Sequence, residues 1–364
     1  MKTRSSAYIF TTLAVATGLL LAGCQQDPQD SPEPESSGPV EVATGLEAPW
    51  SIVFVPQEDQ DPVPLVSERN SAKILQLAED GSTADVATIA GVRTGGEGGL
   101  LGLAVDPADS ESLYVYSTGQ DGNRVQRYPL EAESKQLSLG EPVTVIEQIP
   151  AAGIHNGGRI DFGPDGKLYV ATGDASNGSL AQDEDSLAGK ILRLNPDGSV
   201  PADNPNPDSP VYSLGHRNVQ GLAWDEDGRL FASEFGASDW DELNLIEPGK
   251  NYGWPQVEGM PADEDADSTA PLQVWKPAEA SPSGVAIVDG NIYIANLRGQ
   301  SVRTVPLAEL TESEVVLSDY GRIRDVVVSP DNKLWVLTNN TDGRGEPAEG
   351  DDRIIELDPP VSGD

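Results

Sequence analysis

The feature that most constrains the fold is a short strand-like segment that recurs six times along the chain. The six copies are Leu65-Val66-Ser67, Leu113-Tyr114-Val115, Leu168-Tyr169-Val170, Leu230-Phe231-Ala232, Ile292-Tyr293-Ile294 and Leu334-Trp335-Val336. Their first residues lie 48, 55, 62, 62 and 42 residues apart. Such spacing is typical of the four-stranded blades of a β-propeller that carry loops of unequal length.

Turn signals support this interpretation. Several copies follow a hairpin turn in which Asp, Asn or Gly tolerates positive φ, as in residues 164–167, 226–229 and 330–333. The chain also contains 38 glycines and 29 prolines, which favours many short strands joined by tight turns. A β-sandwich has similar hairpins but needs no sixfold recurrence. We therefore predict an all-β, six-bladed β-propeller of four-stranded blades over residues 40–360, in which residues 353–357 close the ring beside residues 40–55.

The first residues predict an export signal. Lys2 and Arg4 precede an apolar run that ends at Cys24, the only cysteine in the chain. This run is shorter than the roughly 20 residues that cross a bilayer. We interpret residues 1–23 as a lipoprotein signal peptide and Cys24 as the lipidation site.

Residues 24–39 contain no large apolar side chain after the cysteine and are predicted to form a tether. The expected location of the folded domain is therefore outside the cell, anchored by lipid to the outer face of the cell membrane.

The net charge is −37. An acidic balance of this size argues against nucleic acid or an anionic lipid surface as partner. Two acidic runs, residues 183–185 and 263–267, lack the ligand spacing and turn glycine of a calcium-binding loop. We interpret both runs as solvated loops.

The chain has only two histidines, and each lies in a polar segment just before a blade. His155 precedes the third blade and His216 precedes the fourth. Equivalent positions of neighbouring blades converge at one mouth of a propeller channel. Polar segments at comparable positions in other blades, residues 96–102, 234–237 and 322–325, are expected to face the same cavity.

Taken together and in order, these motifs resemble the soluble aldose sugar dehydrogenases that depend on pyrroloquinoline quinone (PQQ), also called the glucose/sorbosone dehydrogenase family. The resemblance extends from about Val40 to Leu357. Its most specific segments are Glu-Gly-Gly-Leu-Leu-Gly at 97–102, His-Asn-Gly-Gly-Arg at 155–159, Gly-His-Arg-Asn-Val-Gln-Gly-Leu at 215–222, Asp-Glu-Leu-Asn at 241–244, Asn-Tyr-Gly-Trp-Pro at 251–255 and Arg-Ile-Arg-Asp at 322–325.

The resemblance implies a catalytic group of three residues. His155 would be the general base that takes the proton from the anomeric hydroxyl of the sugar while hydride passes to the quinone. An imidazole titrates near neutrality and suits this task. Asp174 would orient His155, and Arg217 would be both a catalytic residue and a cofactor contact.

The resemblance also implies a set of cofactor contacts. Because PQQ carries three carboxylates, its site needs cations and amides. The expected contacts are Glu97, Arg217, Asn218, Gln220, Arg298, Arg322 and Arg324. Relatives often have glutamine at the position of Glu97, and this carboxylate would repel the cofactor unless it is protonated or paired with a cation such as Arg217.

Calcium is the implied metal. The carbonyl oxygens of Gly236 and Ala237 would bind it beside the cofactor, where it acts as a Lewis acid. The family commonly has proline in place of Ala237. Glu242 and the carbonyl of Tyr252 match a second, structural calcium site of some relatives.

The sequence thus predicts an oxidoreductase that converts an aldose to its lactone, with an unidentified electron acceptor. Two alternatives stay open. One is a calcium-dependent lactonase, which would need carboxylate and asparagine ligands at the channel floor. The other is a non-catalytic surface propeller that binds carbohydrate.

Overall fold

The computed structural model describes residues 38–58, 60–133, 136–262 and 267–360. The predicted signal peptide, Cys24 and nearly all of the predicted tether lie outside the described residues, as does most of the acidic run at 263–267. The predictions for these segments therefore stay predictions.

The described chain folds into six antiparallel sheets, and the first strand, β1 (Val40–Ala43), belongs to the last of them. Blade 1 contains β2 (Pro49–Gln57), β3 (Gln60–Glu68), β4 (Lys73–Leu77) and β5 (Thr83–Thr88). Blade 2 contains β6 (Leu100–Asp106), β7 (Asp109–Thr118), β8 (Asn123–Glu133), β9 (Gln136–Leu139) and β10 (Val143–Ile149). Blade 3 contains β11 (Ile160–Phe162), β12 (Leu168–Ala171), β13 (Lys190–Leu194) and β14 (Val211–Leu214).

The other three blades follow the same order along the chain. Blade 4 contains β15 (Val219–Trp224), β16 (Leu230–Glu234), β17 (Asp241–Ile246) and β18 (Gln273–Trp275). Blade 5 contains β19 (Pro282–Val288), β20 (Asn291–Asn296), β21 (Ser301–Pro306) and β22 (Glu314–Leu317). Blade 6 contains β23 (Ile323–Val328), β24 (Leu334–Thr338), β25 (Ile354–Leu357) and β1.

The predicted six-bladed propeller is confirmed. Each recurring apolar segment is the second strand of its blade, which explains why the recurrence counts blades correctly. The predicted closure is also found, since β1 pairs with β25 in the register Val40 with Glu356. Blade 2 carries one strand more than predicted, because β9 pairs with the far end of β8.

The first strands of the six blades line the central channel, which holds a cavity of about 580 Å³ towards the ends of these strands. Five of the six have a register shift near their start, for example between Ile323 and Asp325 in β23. Such a bulge interrupts the alternation of side chains. Arg324 and Asp325, which are neighbours in sequence, are consequently both buried at the channel.

An ion pair crosses the channel between blades 3 and 6. Arg159 Nη1 donates a hydrogen bond to Asp325 Oδ2 at 3.0 Å, and Arg159 Nη2 lies 2.9 Å from Oδ1. Asp325 Oδ2 also accepts from the backbone N–H of Ile52 in blade 1 at 3.2 Å. The pair therefore ties three blades together beneath the mouth.

Apolar side chains pack between neighbouring blades. Edge-to-face aromatic pairs link blade 2 to blade 3 through Tyr114 and Phe162, and blade 1 to blade 6 through Phe54 and Trp335, with centroids 4.9 and 5.1 Å apart. Each such pair contributes about 0.5–1.5 kcal/mol beyond burial of its surface. The only helix in the described part of the chain is the 3₁₀ helix Gly178–Gln182, and no helix there is long and apolar enough to span a bilayer.

Candidate active site

His155 and Asp174 form a hydrogen-bonded pair at one mouth of the channel. His155 precedes β11 and Asp174 follows β12, so blade 3 supplies both residues. His155 Nδ1 lies 2.8 Å from Asp174 Oδ1, and the Asp174 carboxyl is almost fully buried. The backbone of His155 has a φ of 60°, in the left-handed region that few residues other than glycine adopt. The structure thus brings together the predicted base and the carboxylate predicted to orient it.

Arg217 decides which nitrogen of His155 can accept a proton. Its Nη2 lies 2.8 Å from His155 Nε2, and a guanidinium can only donate hydrogen bonds. His155 Nε2 must therefore be the acceptor, so the ring proton resides on Nδ1 and is donated to Asp174. This tautomer, assigned from the hydrogen-bond network, presents the lone pair of a general base at Nε2.

Asp174 accepts two further hydrogen bonds. The backbone N–H of Ser176 donates to Oδ1 at 2.8 Å, and the indole N–H of Trp254 donates to Oδ2 at 2.8 Å. Burial alone would raise the pKa of Asp174, but the contact with His155 and the bonds from Trp254 and Ser176 outweigh it and hold that pKa below its ordinary value. Asp174 is therefore ionised at neutral pH.

Trp254 contacts both partners of His155. Besides its bond to Asp174, its ring lies 5.5 Å from the guanidinium carbon of Arg217. The sequence contained Trp254 within a family motif but gave no sign of a contact with Asp174, which lies 80 residues away.

Glu97 is paired with Arg344, and the suggested pairing with Arg217 is wrong. Glu97 Oε1 accepts from Arg344 Nη1 at 2.8 Å, and Oε2 accepts from the backbone N–H of His155 at 2.8 Å. Burial would raise the pKa of Glu97, but these two contacts lower it. Glu97 is therefore an ionised carboxylate, neutralised by Arg344, that holds the backbone of His155. Arg217 is not its partner because the Arg217 guanidinium bonds to His155 and to the carbonyl of Phe235.

Four arginines from blades 1 and 6 form a cluster beside Glu97. The members of this arginine cluster are Arg69, Arg322, Arg324 and Arg344. Asp342 links two of them, since its carboxylate accepts from Arg322 at 3.2 Å and its carbonyl accepts from Arg69 at 3.1 Å. Burial, followed by the charge of Arg69, lowers the pKa of Arg324 to about 9, which leaves it cationic at neutral pH. The sequence predicted Arg322 and Arg324 but missed Arg69 and Arg344.

Asn218 and Gln220, the predicted amide contacts, are both buried at this mouth. Asn218 Oδ1 accepts from the backbone N–H of Gly157 at 2.9 Å, and Gln220 Oε1 accepts from Arg324 Nη1 at 2.7 Å. Gln220 therefore orients an arginine of the cluster.

Three buried donors at the mouth have no acceptor among the described residues. They are Arg217 Nε, Asn218 Nδ2 and Arg322 Nε. A buried donor without a partner costs about 1–3 kcal/mol, so such groups are rare and call for an explanation. Their chemistry fits a ligand rich in acceptor oxygens.

Arg298 does not join the arginine cluster. It follows β20 at the same mouth, and its side chain is exposed. Among the described contacts its backbone N–H bonds to the carbonyl of Ala280 at 3.1 Å, but its guanidinium bonds to nothing. Its predicted role in cofactor binding stays a prediction.

Gly236 and Ala237, the predicted calcium ligands, lie in the loop between β16 and β17. The preceding carbonyl, that of Phe235, accepts from Arg217 Nη1 at 3.1 Å, which places this loop beside the partner of His155. No described residue donates a hydrogen bond to the carbonyl of Gly236 or Ala237. Backbone oxygens of this kind are the ligands that calcium prefers. The described residues contain no cluster of three or more His, Cys, Asp or Glu side chains able to hold a metal.

No described contact joins Glu242 to Tyr252, the two residues of the predicted second calcium site. Glu242 accepts from the backbone N–H of Gly259 at 2.7 Å and from Asn244 Nδ2 at 3.0 Å. Burial, reinforced by the nearby Glu234, raises its pKa well above the ordinary range. This assignment also stays a prediction.

His216 supports the site from beneath. It is fully buried and stacks on Tyr252 with centroids 4.7 Å apart. Its Nδ1 lies 2.8 Å from Glu234 Oε2, and the other oxygen of Glu234 accepts from the backbone N–H of Arg217. His216 therefore acts through Glu234 on the position of Arg217.

Comparisons with known proteins agree with this arrangement. Residues 46–346 match the family described as Glucose / Sorbosone dehydrogenase. The PQQ-bound structure of aldose sugar dehydrogenase from Streptomyces coelicolor is 46% identical, with a TM-score of 0.83 over 88% of this chain and 96% of that chain. Aldose sugar dehydrogenase YliI of Escherichia coli is 30% identical over 82% of this chain and 89% of its own length.

Quinoprotein glucose dehydrogenase B of Acinetobacter calcoaceticus is 33% identical over 61% of this chain and 53% of its own length. The family match at residues 46–346 includes blades 3 and 4, which carry His155, Arg217 and the free carbonyls. The family predicted from the motifs is thereby confirmed, and the chain belongs to the glucose/sorbosone dehydrogenase family.

Proposed function

We propose that this protein oxidises the anomeric hydroxyl of an aldose to the lactone, with calcium-held PQQ as electron acceptor and His155 as general base. The observation that carries the proposal is the ordered chain from Asp174 through His155 to Arg217. It sets the tautomer with the ring proton on Nδ1 and places Nε2, which accepts from Arg217, at the mouth of the channel.

The residues at the mouth fit PQQ. A tricarboxylate needs several cationic donors, and the arginine cluster provides four guanidinium groups within one wall of the site. Arg217 Nε, Asn218 Nδ2 and Arg322 Nε are buried donors that an anionic ligand would satisfy. The pairing of Glu97 with Arg344 removes the repulsion that this carboxylate would otherwise exert.

The carbonyl oxygens of Gly236 and Ala237 fit a calcium ion, since no described donor competes for them. When bound, PQQ supplies a two-electron acceptor and calcium polarises it as a Lewis acid.

The side chains at the mouth carry out one proton transfer. Lactone formation removes a hydride from the anomeric carbon and a proton from its hydroxyl oxygen. His155 Nε2 takes the proton, and the ionised Asp174 at 2.8 Å stabilises the resulting imidazolium. Arg217 lies next to Nε2, where its charge stabilises the sugar oxygen as the proton leaves.

The lactonase alternative gains no support from the channel floor. Asp325, a buried carboxylate of the channel, is ion-paired with Arg159, which donates one hydrogen bond to it at 3.0 Å and places a second guanidinium nitrogen 2.9 Å from its other oxygen. A side chain held in this way is a poor ligand for a cation.

Export rests on the sequence alone. The proposal is that residues 1–23 direct secretion and that lipid on Cys24 anchors the domain to the outer face of the membrane, as the residue pattern indicates.

The decisive experiment is reconstitution of the purified protein with PQQ and calcium, followed by a panel of aldoses and an artificial electron acceptor. We expect sugar-dependent turnover, and His155→Ala should lower kcat by about 10²- to 10⁴-fold because the general base is lost. The affinity for PQQ, followed by its absorbance, should be unchanged in that variant. Absence of turnover in the wild type would refute the proposed activity, whereas full turnover in His155→Ala would eliminate His155 as the base.

A further inference from the structure

Glu258 binds the loop of the predicted calcium ligands through a single carboxylate oxygen. Its Oε1 accepts hydrogen bonds from four consecutive backbone N–H groups, those of Ala237, Ser238, Asp239 and Trp240 at 2.7, 2.9, 2.9 and 3.1 Å. Consecutive amides that converge in this way form a nest for an anion. In this protein the anion is a side chain of the same blade.

The direction of the amides fixes the direction of the carbonyls. In a trans peptide unit, the C=O of one residue points opposite to the N–H of the next. The described chain has cis peptide bonds only at Trp254–Pro255 and Asp351–Asp352, so the loop is trans throughout. Because the four N–H groups point towards Glu258, the carbonyls of residues 236–239 point away from it.

A contact at the end of the loop agrees with this direction, and a contact at its start places the loop beside Arg217. The carbonyl of Asp239 accepts from the Lys276 ammonium at 3.2 Å, and the carbonyl of Phe235 accepts from the Arg217 guanidinium at 3.1 Å. Both flanking carbonyls thus already bind cationic side chains. The carbonyls of Gly236 and Ala237 lie between them, beside Arg217, and bind no described donor.

We infer that Glu258 is the positioning residue of the calcium site, because its carboxylate draws the loop amides inward and thereby turns the Gly236 and Ala237 carbonyls outward. The inference rests on the proposed function, which places calcium at these two oxygens. It assigns Glu258 no contact with the ion itself.

Gly236 is the second requirement for this loop shape. A Cβ at position 236 would lie 1.6 Å from the carbonyl oxygen of Trp240. Gly236→Ala must therefore open the loop while leaving the charge of Glu258 in place, and it tests loop shape separately from charge.

The test is a calcium titration of the full protein in the presence of PQQ, at constant ionic strength, with PQQ absorbance as the readout. Glu258→Ala should raise the half-saturating calcium concentration by about 10- to 100-fold, as expected for loss of a group that orients metal ligands. Glu258→Gln should raise the half-saturating calcium concentration much less, because an amide oxygen can still accept from the loop N–H groups. The charge control is Glu226→Ala, an exposed turn residue of the same blade, which should match the wild type.

Wild-type calcium affinity in Glu258→Ala would overturn the inference. Equal losses in Glu258→Gln and Glu258→Ala would also overturn it, because charge rather than loop shape would then govern binding. If Glu258→Ala does not fold, Gly236→Ala decides the question, since unchanged affinity in that variant contradicts the required loop shape. A wild-type protein that binds neither PQQ nor calcium would instead refute the proposed function, and the inference with it.

Discussion

Asp174→Asn, combined with Trp254→Phe, tests the hydrogen-bond arrangement around His155. Asp174 accepts from His155 and Ser176 on Oδ1 and from Trp254 on Oδ2. An asparagine has one acceptor oxygen and one NH₂ donor. If the asparagine oxygen faces His155, it accepts from both His155 and Ser176, and the NH₂ group then faces the indole N–H of Trp254. This orientation is expected because it satisfies two donors.

The expected loss of stability follows from that donor-to-donor contact. A buried donor deprived of its acceptor costs about 1–3 kcal/mol, and the free energy of unfolding of Asp174→Asn should fall by this amount. The carboxylate that stabilises the imidazolium is also lost. A hydrogen bond to a charged group contributes about 1.5–3 kcal/mol, which corresponds to a decrease in kcat of about 10- to 150-fold.

The effect of Trp254→Phe on the free energy of unfolding should have opposite signs in the wild type and in Asp174→Asn. In the wild type it removes a donor to a buried carboxylate and lowers the free energy of unfolding. In Asp174→Asn it removes the conflicting N–H while keeping an aromatic ring against Arg217, and it should restore stability. Because the two effects have opposite signs, the coupling is the sum of their magnitudes and should exceed the about 1–3 kcal/mol recovered in Asp174→Asn. Urea denaturation of the four proteins measures it, and equal costs of Trp254→Phe in both backgrounds would refute the arrangement.

Two further predictions concern the cofactor and the anchor. Arg322→Ala with Arg324→Ala should weaken PQQ binding, because half of the arginine cluster is removed, and a titration followed by PQQ absorbance measures the change; unaltered affinity would show that the cofactor binds elsewhere. Cys24→Ser should move the protein from the membrane fraction to the aqueous phase on detergent partitioning, and a variant that remains in the membrane fraction would contradict lipidation at Cys24.

The sequence was sufficient for the blade count because each blade repeats the same buried second strand. Six apolar segments at blade-sized spacing require six sheets, and the ring must close through its terminal strands. The sequence did not predict β9, because a strand that occurs in one blade only and pairs with the end of β8 leaves no recurring signal. The bulges of the first strands were also missed, because a one-residue register shift depends on pairing rather than on composition.

At the site, the sequence predicted residues that lie in short motifs and missed the contacts that join distant motifs. His155 and Asp174 were paired through the family resemblance. Glu97 was assigned the wrong cation because Arg344 is 247 residues away and reaches it only once blade 6 has closed the ring. Glu258 was not among the predicted site residues, yet four backbone amides converge on it.

A net charge of −37 and an anionic cofactor are compatible because charge acts locally in this protein. The Debye length at physiological ionic strength is about 8 Å, so exposed carboxylates on distant blades are largely screened, whereas buried charges are screened much less. Within the arginine cluster, four guanidinium groups are opposed by Glu97 and Asp342 alone among the described partners. The local charge is therefore positive, and an anion that reaches the mouth is attracted by charges closer and less screened than those that repel it.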